Sequence, residues 1–102
     1  MLKQNIIAAS DRIKDHVRRT TFERSSMISQ ITGADVWLKM ENQQHTGSFK
    51  FRGAINKMLT LSQSERESGI YGTSTGNHGA AVAHACQKLN VPCIIYVPEK
   101  SS

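Results

Sequence analysis

The sequence predicts an α/β fold with helices around parallel strands. β-type runs at 36–40, 70–74 and 93–97 alternate with segments of helical pattern. The last run, Cys93-Ile94-Ile95-Tyr96-Val97, is continuously apolar, as expected of a strand buried on both faces. Parallel strands joined in this way call for right-handed crossovers. Ligands in such sheets bind beyond the carboxyl ends of the strands.

Taken in order, residues 3–17 read as a helix, with Ile6, Ile7, Ile13 and Val17 partly sharing a face. Thr20 to Glu23 reads as extended. Ser25 or Ser26 can cap a short helix that stops at Gly33, a residue suited to the left-handed position past a helix end. Val36 to Met40 carries bulky β-type side chains, and the polar stretch from Asn42 to Gly47 is a loop. Ser48 opens a helix through Ala54, Ile55, Met58 and Leu59. Ser62 and Ser64 each precede a glutamate by three residues, Glu65 and Glu67, which is capping-box spacing; Gly69 ends that helix. Ile70 to Ser74 is a strand, Gly76-Asn77-His78-Gly79 a turn, 79–89 an alanine-rich helix, and Val91-Pro92 the joint to the last strand.

At 102 residues the chain has the size of one ordinary domain with a modest core. Hydrophobic residues are 38% and charged residues 21%, a globular rather than a disordered composition. The net charge of +5 does not mark a nucleic-acid or membrane-surface binder. Arg12, Lys14, Arg18, Arg19 and Arg24 are interspersed with Asp11, Asp15 and Glu23, with no like-charge run. Aromatic residues are only 6% and are not interleaved with basic ones, as stacking on RNA would require. No segment approaches the ~18 apolar residues of a membrane span, and the start lacks the apolar run of a signal peptide. Cys86 and Cys93 are not a CxxC pair. A reduced, cytoplasmic protein with packing thiols is expected. His78, His84 and Cys86 fall on one helix, but at six and eight residues' offset they point apart, so no metal site is expected.

Two loops end at carboxyl ends of strands, 42–48 and 74–79, and share a rim if the strands lie in one sheet or two adjoining ones. In the first, Lys50 follows Gly47-Ser48 at the start of a helix, where backbone N–H groups favour an anion. Nearby positive potential and partial burial would favour a nucleophilic amine, with Phe49 as an apolar flank. In isolation such a residue reads as an exposed helix lysine. In the second, Ser74-Thr75-Gly76-Asn77-His78-Gly79 offers hydroxyls, an amide and bare backbone at a helix start, suited to a carboxylate or phosphate. In isolation it reads as a capping turn with Asn77 as the cap. Neither GxGxxG nor GxxxxGK[ST] occurs.

Together, Thr46-Gly47-Ser48-Phe49-Lys50-Phe51-Arg52-Gly53-Ala54 and Ser74-Thr75-Gly76-Asn77-His78-Gly79 resemble the signature of fold-type II pyridoxal 5'-phosphate enzymes. The nearest branch is the threonine/serine dehydratases and serine racemases. The likeness extends over Trp37 to Asn42 and Val97 to Glu99, and so over residues 15–100. It implies that Lys50 binds the cofactor as a Schiff base and later moves the substrate α-proton. It implies that Phe49 lies beside the cofactor ring and that Asn77 hydrogen-bonds the ring's 3′-oxygen. Ser74, Thr75, Asn77 and His78 match the loop that holds the substrate carboxylate. Arg52 and Gly53 serve the helix and its packing.

The implied reaction is loss of water and ammonia from a hydroxy-amino acid such as L-threonine or L-serine. Racemisation, or hydroxyaspartate as substrate, are alternatives within the family. Thr75 stands where the racemases carry a serine acid and many dehydratases an alanine; being stiffer than serine, it favours dehydration. A non-catalytic remnant is the alternative of another class.

Family members are three or more times longer, and hold the phosphate on a downstream glycine-rich loop; here no glycine follows Gly79. The resemblance therefore implies an incomplete portion of a two-domain enzyme: residues 1–70 from the large cofactor domain and 71–102 the first strand-helix-strand of the small one. Such a portion should expose apolar faces and show little activity alone. The parent enzyme would be a homo-oligomer acting on a small amino acid.

Overall fold

The computed structural model describes residues 1–100. The elements run α1 (Leu2–Ile13), β1 (Phe22–Arg24), α2 (Ser26–Thr32), β2 (Trp37–Lys39), two 3-10 turns (Glu41–Gln43 and His45–Gly47), α3 (Lys50–Leu59), α4 (Gln63–Ser68), β3 (Ile70–Thr73), α5 (Asn77–Leu89) and β4 (Cys93–Tyr96). The local signals in the sequence explain most boundaries. Ser25 caps α2 by accepting the Ile28 N–H, and Gly33 closes that helix at φ 72°. Ser62 and Glu65 form a reciprocal capping box on α4. Gly69 then turns at φ 87° into β3, and a Cβ there would lie 3.2 Å from the Pro92 carbonyl oxygen, so only glycine fits.

The strands form two separate two-stranded sheets. β3 and β4 are parallel, with Ile70 opposite Cys93 and Thr73 opposite Tyr96, and α5 connects them. β1 and β2 instead pair antiparallel, Phe22 opposite Lys39. The expected parallel arrangement thus holds for the second sheet alone.

The core lies where α3 meets α5. Phe51, Ala54, Ile55 and Met58 pack on Ala81, Ala85 and Cys86, with Ile13 and Val91 at the margins. Small residues along α5 let α3 approach closely, which leaves room for the ring of Phe51. Cys86 is buried beside Met58, its Sγ 3.9 Å from the thioether sulfur, and burial together with the neighbouring Cys93 thiol pushes its pKa up to about 12. Both cysteines are free.

Two expectations for the core need correction. Ile6 and Ile7 are exposed, because α1 reaches past α3 and only Ile13 near its end is buried. The run 93–97 is not buried on both faces. Along β4, half-buried and exposed residues alternate, because α5 covers one side only; Ile94, Tyr96 and Val97 are exposed. Apolar surface is open elsewhere too, at Met27, Ile31, Trp37 and Tyr71. No helix among the described residues is long and apolar enough to cross a membrane.

Candidate active site

The loop that precedes Lys50 is fastened to the body of the protein by side chains. Gln44 is buried and bridges the backbone of Arg18 in both directions. Its Nε2 donates to the Arg18 carbonyl at 2.9 Å, and its Oε1 accepts the Arg18 N–H at 2.9 Å. Glu41 takes Arg52 on both oxygens, from Nε at 2.5 Å and from a terminal nitrogen at 3.1 Å, and accepts the Thr20 hydroxyl at 2.6 Å. The Arg52 guanidinium holds the Glu41 carboxyl down at about 2. Arg52 therefore ties α3 to the loop, in line with its expected helix-supporting place.

Between these two anchors the chain is strained. Thr46 sits at φ 64° and Gly47 at φ 78°. A β-branched residue in the left-handed region is an outlier that costs ~1–3 kcal/mol and is found where a site imposes it. The Thr46 hydroxyl is moreover buried, with no hydrogen-bond partner among the described residues. His45, in the same turn, stacks edge-on to Phe51 at 5.2 Å and lies 5.4 Å from the His84 ring on α5. Burial, with Lys88, Arg18 and His84 nearby, lowers the His45 pKa.

The helix of Lys50 starts at that residue, with Phe49 as its cap; the Ser48 hydroxyl accepts the Lys50 N–H at 3.3 Å, two residues later than a start at Ser48. The Lys50 ammonium stands 4.8 Å over the centre of the Phe49 ring. Both residues are exposed, so the expected partial burial of Lys50 is absent. They line a groove of about 460 Å³ with Ala54, Met58, Leu61, Ile70, Val82 and His78. Its walls are mainly apolar, with an amine and an imidazole among them.

The second loop is closed from within. The Ser74 hydroxyl accepts the Gly76 N–H at 3.3 Å and the Gly79 N–H at 2.9 Å. A Cβ on Gly79 would lie 3.0 Å from the Ser74 Cβ, so this close approach needs glycine. The cap of α5 is Gly76, without a side-chain bond, and not Asn77, which is the first helical residue. Of the six residues singled out in the sequence, Phe49, Lys50 and His78 share the groove; Ser74, Thr75 and Asn77 lie on the adjoining turn and do not line it. Sequence reasoning missed Gln44, the strain at Thr46 and the His45–Phe51–His84 cluster. The metal-site candidates diverge: Cys86 faces the core, His84 meets His45, and His78 lines the groove.

The family model of the pyridoxal-phosphate dependent enzymes matches residues 13–102. The chain belongs to this family. An L-threonine ammonia-lyase of Thermotoga maritima is 45% identical over 95 residues, which cover 93% of this chain and 24% of that protein. An L-threo-3-hydroxyaspartate ammonia-lyase of Saccharomyces cerevisiae is 42% identical over 93% of this chain and 29% of its own length. The structure of maize serine racemase superposes with a TM-score of 0.92 at 34% identity, over 97% of this chain and 30% of that one. The chain thus spans about a quarter to a third of the length of these relatives.

The family's cofactor suits the groove. A planar aromatic ring matches mainly apolar walls of this volume, within the ~300–1,000 Å³ usual for ligand pockets. A primary amine, that of Lys50, lines the groove beside an aromatic ring.

Proposed function

We propose that this chain carries the cofactor lysine of an ammonia-lyase that converts a hydroxy-amino acid, L-threonine or L-serine, into a 2-keto acid and ammonia. The observation that carries the reading is the groove in which Lys50, Phe49 and His78 meet, in a chain 42–45% identical to two ammonia-lyases. Pyridoxal phosphate, when bound, supplies the electron sink that lets an α-proton leave.

The residues then have distinct parts. Lys50 Nζ would attach the cofactor and, as a free amine, would take the substrate α-proton. Phe49 flanks the ring and steadies the ammonium. Asn77, first in α5 on the turn that adjoins the groove, would hydrogen-bond the ring oxygen. Ser74, Thr75, Asn77 and His78, with the free N–H groups of the helix start, hold the substrate carboxylate. Ser74 can do so while closing its own turn, because its oxygen accepts two bonds and its proton stays free to donate. The rigid anchoring of residues 41–52 keeps Nζ in place between attachment and proton transfer.

Residues 1–70 would belong to a large domain and 71–102 to the start of a small one, in a homo-oligomer. The 102-residue chain by itself would turn over little or no substrate, because it spans so small a share of its relatives. Racemisation is the second reading. Thr75 keeps a hydroxyl on the turn, and serine racemases are among the structural relatives. The deciding experiment supplies a full-length form with L-serine and L-threonine. Keto acid formation, abolished by Lys50→Ala, is the expected result. Abundant D-serine with little pyruvate would replace dehydration by racemisation, and unchanged turnover in Lys50→Ala would remove the assignment altogether.

A further inference from the structure

A second recess, of about 390 Å³, is built from different residues. Ser10, Ile13 and Lys14 come from α1 and its end, Val17, Arg18 and Arg19 from the segment leading to β1, Lys39 from β2 and Arg52 from α3. It shares no lining residue with the Lys50 groove. Arg52 and Lys50, two positions apart on a helix, project about 200° from one another.

Five cations surround this recess, and they are poorly neutralised. Glu41 occupies Arg52. Asp11 reaches Lys14 only at 3.5 Å, with both side chains exposed, so that pair contributes little. Lys39 Nζ donates to the Thr20 carbonyl and an Arg18 terminal nitrogen to the Gln43 carbonyl, neutral acceptors both. The Arg19 guanidinium makes no hydrogen bond or ion pair among the described residues. The carboxyl end of α1 opposes an anion with about half a charge, against Arg18, Arg19 and Lys39, which have no carboxylate partner among the described residues, and the weakly paired Lys14. Ile13 and Val17 give the recess an apolar lining, which strengthens charge interactions within it.

We propose that this recess binds a small anion bearing two or more phosphate groups. A single phosphate carries about two charges at neutral pH, fewer than the cations on offer, whereas a diphosphate comes closer. The concave form and the confinement of the charge to eight residues fit a metabolite-sized ligand better than a nucleic-acid strand, which needs a track of cations and stacking aromatics.

The test is calorimetric titration of the 102-residue chain with inorganic pyrophosphate, alongside amide chemical-shift mapping. Expected is one saturable site, with shifts at residues 10–19 and 39. Affinity should fall roughly tenfold in Arg19→Glu and stay within about twofold in Lys50→Ala, whose charge lies on the other side of α3. It should weaken further as ionic strength rises from about 0.01 to 0.15 M, where the Debye length shrinks from about 30 to 8 Å. Shifts centred on 74–79, loss of binding in Lys50→Ala, no saturable heat, or tighter binding of a single-stranded oligonucleotide than of pyrophosphate would each overturn the proposal. The shift map needs no variant, so misfolding of Arg19→Glu leaves the outcome readable.

Discussion

The two loops that flank the groove are built in opposite ways. The first, from Glu41 to Lys50, is bolted to distant parts of the chain: Gln44 to Arg18, Glu41 to Thr20 and Arg52, His45 to Phe51 and His84. It can hold Thr46 in a strained conformation because these contacts over-determine it. The second, from Ser74 to Gly79, is closed by one of its own hydroxyls, and Thr75 to His78 are exposed. A group that must be held at one point benefits from the first design. A loop that has to close on a ligand benefits from the second, since few contacts must break when it moves.

The contrast predicts a graded series of losses. Phe51 is fully buried and supports His45 from below, so Phe51→Ala should cost ~3–5 kcal/mol in urea unfolding, a large share of the ~5–15 kcal/mol that holds a domain of this size. Gln44→Ala leaves the Arg18 backbone groups without their partner and should cost about 2 kcal/mol. A loss below ~0.5 kcal/mol would show that the first loop is no more firmly held than the second. Acid should act on the same loop. Glu41 has its carboxyl pKa depressed to about 2 from an ordinary 4.5. Its stabilisation is therefore complete above the ordinary value and is lost as pH falls through the folded one. Arg52 is partly exposed, so the contribution is about 1–2 kcal/mol rather than the full value of the shift. Glu41→Gln should lack this part of the acid-induced loss. In the second loop, Ser74→Ala should cost ~1 kcal/mol or less, visible as faster hydrogen exchange at Gly76 and Gly79 while Lys50 and its neighbours stay protected.

How much of this could be read from the sequence follows the same division. Ser25, Gly33, the Ser62–Glu65 box and Gly69 act within a few residues of themselves, and each did what its residue type implies. The turn before α5 was legible in part: it is closed locally, but its cap is Gly76 and the helix begins at Asn77 rather than Gly79. Gln44 gave no signal, because its partner lies 26 positions away. Nothing in the residue type of Thr46 foretells a left-handed backbone; tertiary contacts impose it. The antiparallel pairing of β1 with β2 depends on how two three-residue strands meet, and runs that short fix no direction. Ile6 and Ile7 have the right periodicity for a buried face, yet periodicity does not say whether another element reaches that far. The basic recess was hidden for a related reason. Its cations are interspersed with acidic residues along the chain and converge only in space.

The parallel sheet of β3 and β4 has a practical consequence for anyone handling the protein. Each of the two strands has an edge without a strand partner among the described residues, and the face away from α5 shows Tyr71, Ile94 and Tyr96. Unprotected edges of this kind template strand addition between molecules. The net charge of +5 keeps molecules apart in dilute buffer, and added electrolyte removes that repulsion. Turbidity and light scattering should therefore rise with sodium chloride, the reverse of what an assembly joined by ion pairs would do, and low-salt buffer is the condition in which this chain keeps best.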